Sequence, residues 1–169
     1  MIPTLVEQYR QWFEYEKDSH RKVLASFETV PEGGRRSEPF QKAMTLMGHI
    51  VAARQTWLHR FGAPVERPAI LFPTDATCDG LLVDIEVMER DWSDYFGRLD
   101  ETELGRGFDY LTSEGTRFRS VVADVLIHMY GHSLYHRGQI ASLVRAAGGE
   151  PAKTDFIFWS RELIAPPAP

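Results

Sequence analysis

Val121-Val122-Ala123-Asp124-Val125-Leu126-Ile127-His128-Met129-Tyr130-Gly131-His132-Ser133-Leu134-Tyr135-His136-Arg137-Gly138-Gln139-Ile140 is written at helical period. With the residues that follow, it predicts a long helix over about Val121–Ala147, with Ser120 as a candidate cap and Gly148-Gly149 as its stop. Its expected inward stripe is Val121, Val125, His128, His132, His136, Gln139 and Leu143. Polar groups therefore occupy positions where leucines would serve a core better, which needs a compensating partner. His132 and His136 are four apart, so their β-carbons lie about 5–6 Å from each other on one face. That spacing lets two imidazoles grip one metal ion.

A third imidazole from a facing helix would complete a three-histidine site, and the second amphipathic stretch supplies one. It runs from about Glu38 to Phe61, with Ser37 as N-cap, Pro39 in the first turn and Gly62 as the stop. Leu46, His49, Ile50, Ala53 and Trp57 share its apolar face. His49, His132 and His136 are thus the candidate metal ligands. A lone histidine on such a face is ordinarily a core residue with a satisfied hydrogen bond. Three on two facing stripes differ, because burying several imidazoles with no common partner is costly.

Two further helices are expected. The first spans about Thr4–Phe27, opened by a Thr4/Glu7 capping box, with Leu5, Tyr9, Trp12, Phe13, Glu16, His20, Val23, Leu24 and Phe27 on one stripe. The third spans about Asp79–Leu99, burying Leu81, Leu82, Ile85, Met88, Trp92, Tyr95, Phe96 and Leu99. Between the second and third lie the sixteen residues Gly62–Thr77, including Pro64, Pro68 and Pro73. Extended at about 3.3 Å per residue they reach about 50 Å, against about 33 Å for a helix of about 22 residues. The connection can therefore run the length of a bundle and let the second and third helices point the same way. Gly107–Leu111 and Thr116–Arg119 flank Thr112-Ser113-Glu114-Gly115, the pattern of a short β-hairpin. The expected fold is all-α: a four-helix bundle with a long crossover between helices two and three and a hairpin before helix four, in one domain over 1–169. Phe156, Ile157 and Trp159 should fold back on the bundle, and Pro166–Pro169 should fray.

Composition narrows the function. A hydrophobic content of 43% and a charged content of 25% are those of a globular domain, and no apolar run approaches the length of a membrane span. A net charge of −5 lacks the basic face that nucleic acid requires. The start has no signal-peptide layout and the single Cys78 cannot form an internal disulfide, so a cytoplasmic protein is expected. Cys78 is a poor nucleophile because acidic neighbours raise a thiol pKa; it reads as filler at a helix start.

The segment from His128 to Ile140, with its H-x-x-x-H-R-G-Q core, resembles the signature of the DinB/YfiT-like superfamily of metal-dependent enzymes, which is unrelated to the polymerase of the same name. Gly48-His49-Ile50 followed by Trp57-Leu58 resembles that family's second-helix pattern, and Gly149-x-Pro151 with Asp155 also fits. The chain departs from other members at Gly131, often asparagine, and Tyr135, often histidine. The resemblance implies ligands at His49, His132 and His136, a four-helix bundle with non-sequential helix direction, and a homodimer. It also implies enzymes that use low-molecular-weight thiols with small-molecule electrophiles.

Three neutral imidazoles suit Zn²⁺, Ni²⁺ or Fe²⁺ and leave positions open, whereas a structural zinc site would be closed by a fourth ligand. An open site acidifies a bound water or holds a thiolate. A thiol S-transferase or hydrolase is the leading expectation, and a non-catalytic, dimerising metal-binding stress-response bundle the alternative. His128 is the candidate catalytic or pocket-lining group one turn further along. Glu16, His20 and Gln139 are candidates for contact behind the ligands or with substrate. Arg137 could hold a carboxylate at an interface. Gly131 and Gly138 each cost about 1 kcal/mol relative to alanine, for which close approach of another backbone is the usual offset.

Overall fold

The computed structural model describes residues 2–164, so the fraying expected of Pro166–Pro169 lies outside the described residues. The chain is mostly helical: α1 (Leu5–Glu28), a 3₁₀ turn at Glu32–Gly34, α2 (Glu38–Arg60), α3 (Cys78–Arg98), α4 (Glu101–Leu104), the strands β1 (Gly107–Leu111) and β2 (Arg117–Val121), α5 (Val122–Ala146) and α6 (Phe156–Ser160). Short polar side chains fix where the long helices begin. Thr4 and Glu7 form the reciprocal capping box of α1, Ser37 accepts from the Phe40 amide at the start of α2, and Thr77 accepts from the Gly80 amide at the start of α3. Gly62 ends α2 in the left-handed region at φ 91°.

α5 begins differently. Its N-cap is Val121 with no side-chain bond, and Ser120, the expected cap, is part of β2. The strand feeds straight into the helix, and the Val122 amide is satisfied instead by the Arg106 carbonyl. β1 and β2 pair antiparallel, Gly107 opposite Val121 and Leu111 opposite Arg117.

α2 packs along α5 and against α3, while α1 packs against α3 and α5. Phe13, Phe27, Met47, Ile50, Leu58, Ile85, Met88, Trp92, Val125, Met129 and Ile140 meet in the resulting core. Leu5 and Leu82, both expected in the core, are about half exposed, at 51% and 47%. Leu5 opens α1 on the side away from the buried Val6, and Leu82 sits beside the inward Leu81 and Ile85. The tail returns through α6, where Phe156 and Trp159 stack edge-on against Tyr15, at 5.1 and 5.9 Å between centroids, while Ile157 stays exposed.

The phase of α5 is the main departure from expectation. Its buried face is Val122, Val125, Leu126, Met129, Ser133, Arg137, Ile140 and Val144, not the histidine stripe. Ser133 and Arg137 point to the centre because buried partners await them. Arg54 of α2 bonds to both Glu16 of α1, at 2.5 Å, and the Ser133 hydroxyl, at 3.2 Å. Arg137 bonds to the other Glu16 oxygen at 2.5 Å and to the Tyr15 hydroxyl at 2.9 Å. With Arg137 inward, His132 and His136 turn to the seam with α2, and His128 is exposed.

Candidate metal centre

α2 contributes His49 and α5 contributes His132 and His136, with one nitrogen from each lying within 4.8 Å of the others. Ring centroids are 5.0 Å apart for His49–His132, 4.9 Å for His49–His136 and 4.4 Å for His132–His136. The Nε2 atoms of His49 and His132 are 3.1 Å apart. Tetrahedral coordination at about 2.0–2.1 Å per nitrogen separates ligand nitrogens by roughly 3.3 Å, so this spacing fits a shared small cation.

Two of the rings are held from behind. His49 Nδ1 donates to the Leu71 carbonyl at 2.8 Å, and His136 Nδ1 donates to Gln139 Oε1 at 2.8 Å. A proton fixed on Nδ1 leaves Nε2 with a free lone pair, the arrangement a metal-binding histidine needs. Gln139, three residues after His136, thus orients that ring directly. The Leu71 carbonyl comes from residues 62–77, the long connection between α2 and α3. Phe72 beside it stacks flat on the His49 ring, at 3.8 Å and an interplanar angle of 6°. Pro73 lies so close to α2 that a methyl group on Gly48 would come within 2.5 Å of its Cγ. Gly48 is therefore the residue that admits the connection to His49.

Burial, together with neighbouring His136 and His49, pushes the His132 imidazole down to about 4. Burial also lowers His49, against the opposing pull of its bond to Leu71. Neutral rings are what a divalent cation requires of its ligands.

The other candidates fall into different places. His128 is exposed, its ring 5.6 Å from that of His132 and 6.1 Å from Trp57, outside the trio. His20 is fully buried and pairs through Nδ1 with Glu89 of α3 at 2.8 Å. Glu16 is fully buried in the arginine cluster; burial alone would raise its carboxyl, but Arg54 and Arg137 overcome this and hold it below its usual value. The partners of Glu16 and His20 are therefore other charged side chains, not the ligand rings. Gly131 and Gly138 do not serve a close approach within the chain, since a methyl on either would meet nothing within 4 Å. Cys78 opens α3, its thiol raised chiefly by burial.

Sequence reasoning missed Leu71, Phe72, Arg54 and Ser133. A signal existed only for Arg54, which falls with Ile50 and Leu58 at four-residue intervals on the buried face of α2. A carbonyl oxygen in a proline-rich loop announces nothing in sequence.

The protein is similar to "Protein DinB" of Bacillus subtilis (strain 168), with 22% identity over 156 residues, covering 85% of this chain and 88% of that one. Residues 1–163 match the DinB family. The chain therefore belongs to the DinB family.

Proposed function

We propose that the protein is a metal-dependent enzyme, a thiol S-transferase or hydrolase, in which His49, His132 and His136 hold a Zn²⁺, Ni²⁺ or Fe²⁺ ion. The observation that carries this reading is the pair of anchored Nδ1 atoms, on Leu71 and Gln139, that turns ring nitrogens toward a common point. Imidazoles crowded this closely repel once protonated, so the cluster needs either deprotonation or a cation. Three protein nitrogens leave coordination room, which favours a reactive over a purely structural site.

Such a cation would supply Lewis acidity to a thiol, water or electrophile. The chain's own part is to orient and to move protons. Leu71 and Gln139 fix the ring tautomers, and Phe72 covers one face of His49 and keeps water from it. His128, solvent-exposed and one turn from His132, carries the proton away. Around this centre we infer a four-helix bundle in which α2 and α3 run the same way, joined by residues 62–77. We also infer a cytoplasmic homodimer contacting through the outer face of α5, where Ile127 and Leu134 are exposed at 54% and 38%. Among the described residues, no helix is long and apolar enough to cross a membrane.

Elemental analysis of untagged protein tests the site: about one equivalent of transition metal is expected, lost in His132→Ala. Turnover is tested with low-molecular-weight thiols paired with electrophiles and with hydrolysable esters and amides. His128→Gln should lower turnover at unchanged metal content. A protein that holds metal but turns over none of these would be a binder, and a protein that holds no metal would end the reading.

A further inference from the structure

An open groove of about 620 Å³ runs from the ligand His136 along the seam between α2 and α5, a size in the range of small-molecule sites. Leu46 of α2 and Leu143 and Tyr135 of α5 give it apolar walls, and Lys42 stands in its lining. Lys42 lies seven residues before His49 on the same helix, which places it about 10 Å along the axis from that ligand. No carboxylate lines the groove. Lys42 makes no ion pair among the described residues, whereas Lys17 and Lys22 are paired with Glu14 and Asp18. Gly138 keeps the wall on the α5 side low, since an added methyl there would meet only open space.

We propose that this groove seats the substrate, and that the substrate is an amphipathic anion. Its ligating head lies at the three histidines, its apolar body on Leu46 and Leu143, and its negative group at Lys42. This rests on the three-histidine reading of the site. It assigns Lys42 and Gly138 as specificity-determining residues: a ligand with the same head and body but an uncharged end loses the contact with the ammonium. An exposed ion pair of this kind is worth about 1.4-fold to fivefold in affinity.

The test is a titration of the cobalt-substituted protein, following the visible band of bound Co²⁺, with ω-mercaptooctanoate and with ω-mercaptooctanol. The acid is expected to bind about 1.4-fold to fivefold more tightly than the alcohol. Lys42→Ala should bring the acid to the affinity of the alcohol and leave the alcohol unchanged. Gly138→Leu should weaken both at unchanged cobalt affinity, because its side chain fills the groove rather than the metal site. Equal binding of the two probes to the wild-type protein, no spectral response to either, or indifference to both substitutions would overturn the proposal while leaving the metal site standing. Failure of the protein to take up cobalt at all would remove the metal site, and the groove assignment with it.

Discussion

Glu16 of α1 accepts a hydrogen bond from Arg137 of α5 across 121 positions of sequence, and Arg137 is the residue that follows the ligand His136. The same carboxylate holds Arg54 of α2, five residues beyond His49. One buried anion thus ties together the two helices that carry the ligands, each within about one turn and a half of a ligand ring. Arg54 also reaches Ser133, next to His132. Buried ion clusters contribute little net stability, because desolvation offsets attraction, but they can set register. Here the cluster fixes the rotation of α5 that points His132 and His136 at α2.

Glu16→Gln removes the charge and leaves two buried guanidinium groups without a counterion. Breaking one side of a buried pair costs about 3–5 kcal/mol. Urea denaturation should show a loss of that size, and the metal-binding constant should weaken because α5 is no longer held in phase. An unchanged unfolding midpoint would show that Glu16 does not carry the cluster.

The contact of Gly48 with Pro73 predicts an effect on the metal without touching a ligand. In Gly48→Ala the new methyl meets Pro73 Cγ at 2.5 Å and Cδ at 3.3 Å, so the connection must move away from α2. The Leu71 carbonyl then leaves His49 Nδ1, and loss of such a supporting bond lowers metal affinity about 10–100-fold. Competition with a chromophoric chelator measures this. Pro73→Ala added to Gly48→Ala removes the obstructing ring atoms and should restore much of the affinity. Full metal affinity in Gly48→Ala alone would remove the role given to the connection.

Acidification should destabilise the metal-free protein in a defined window. Burial holds His20 below its usual value of 6.5, despite the bond it donates to Glu89, and His132 is pushed to about 4. Unfolded, both rings titrate near 6.5, so below that pH the unfolded chain binds protons that the folded chain refuses. Stability therefore falls as pH falls from about 6.5 toward 4, each group adding at most about 1.4 kcal/mol per pH unit to the slope. Melting temperatures of the chelated protein should follow this trend, and His20→Gln should flatten it. A melting temperature constant across the window would contradict the burial of both rings.

How much of this could be read from the chain differs by element. The caps Thr4 and Ser37, the stop at Gly62 and the hairpin are local, written in residues a few positions apart. The trio His49, His132 and His136 was legible because four-residue spacing fixes two rings on one face and an apolar stripe fixes the third. The rotation of α5 was not. Ser133 and Arg137 look like surface residues by polarity, and only the distant partners Glu16 and Arg54 make their burial tolerable. The short helix α4 was missed as well, since its four residues are set by the Asp100 cap rather than by any apolar period. The contact of Leu71 and Phe72 with His49 depends on how a long connection folds back, which no local pattern encodes.

Gly131 lies on the outer side of α5, one turn from Ile127 and three residues before Leu134, and a methyl added there would meet nothing within 4 Å. In an exposed helix interior, glycine is less favourable than alanine by about 1 kcal/mol. Gly131→Ala should therefore raise the melting temperature, by about 2–4 °C for a chain of this size. Differential scanning calorimetry measures the shift, and sedimentation at the same protein concentration measures the mass. In a dimer whose α5 helices are spaced by the side chains of Ile127 and Leu134, at the usual interaxial distance of about 8–10 Å, one methyl is accommodated and the mass stays constant. A lower melting temperature together with loss of dimer mass would instead place a second backbone directly against Gly131. That result would turn the glycine from an unexplained cost into the contact point of the assembly.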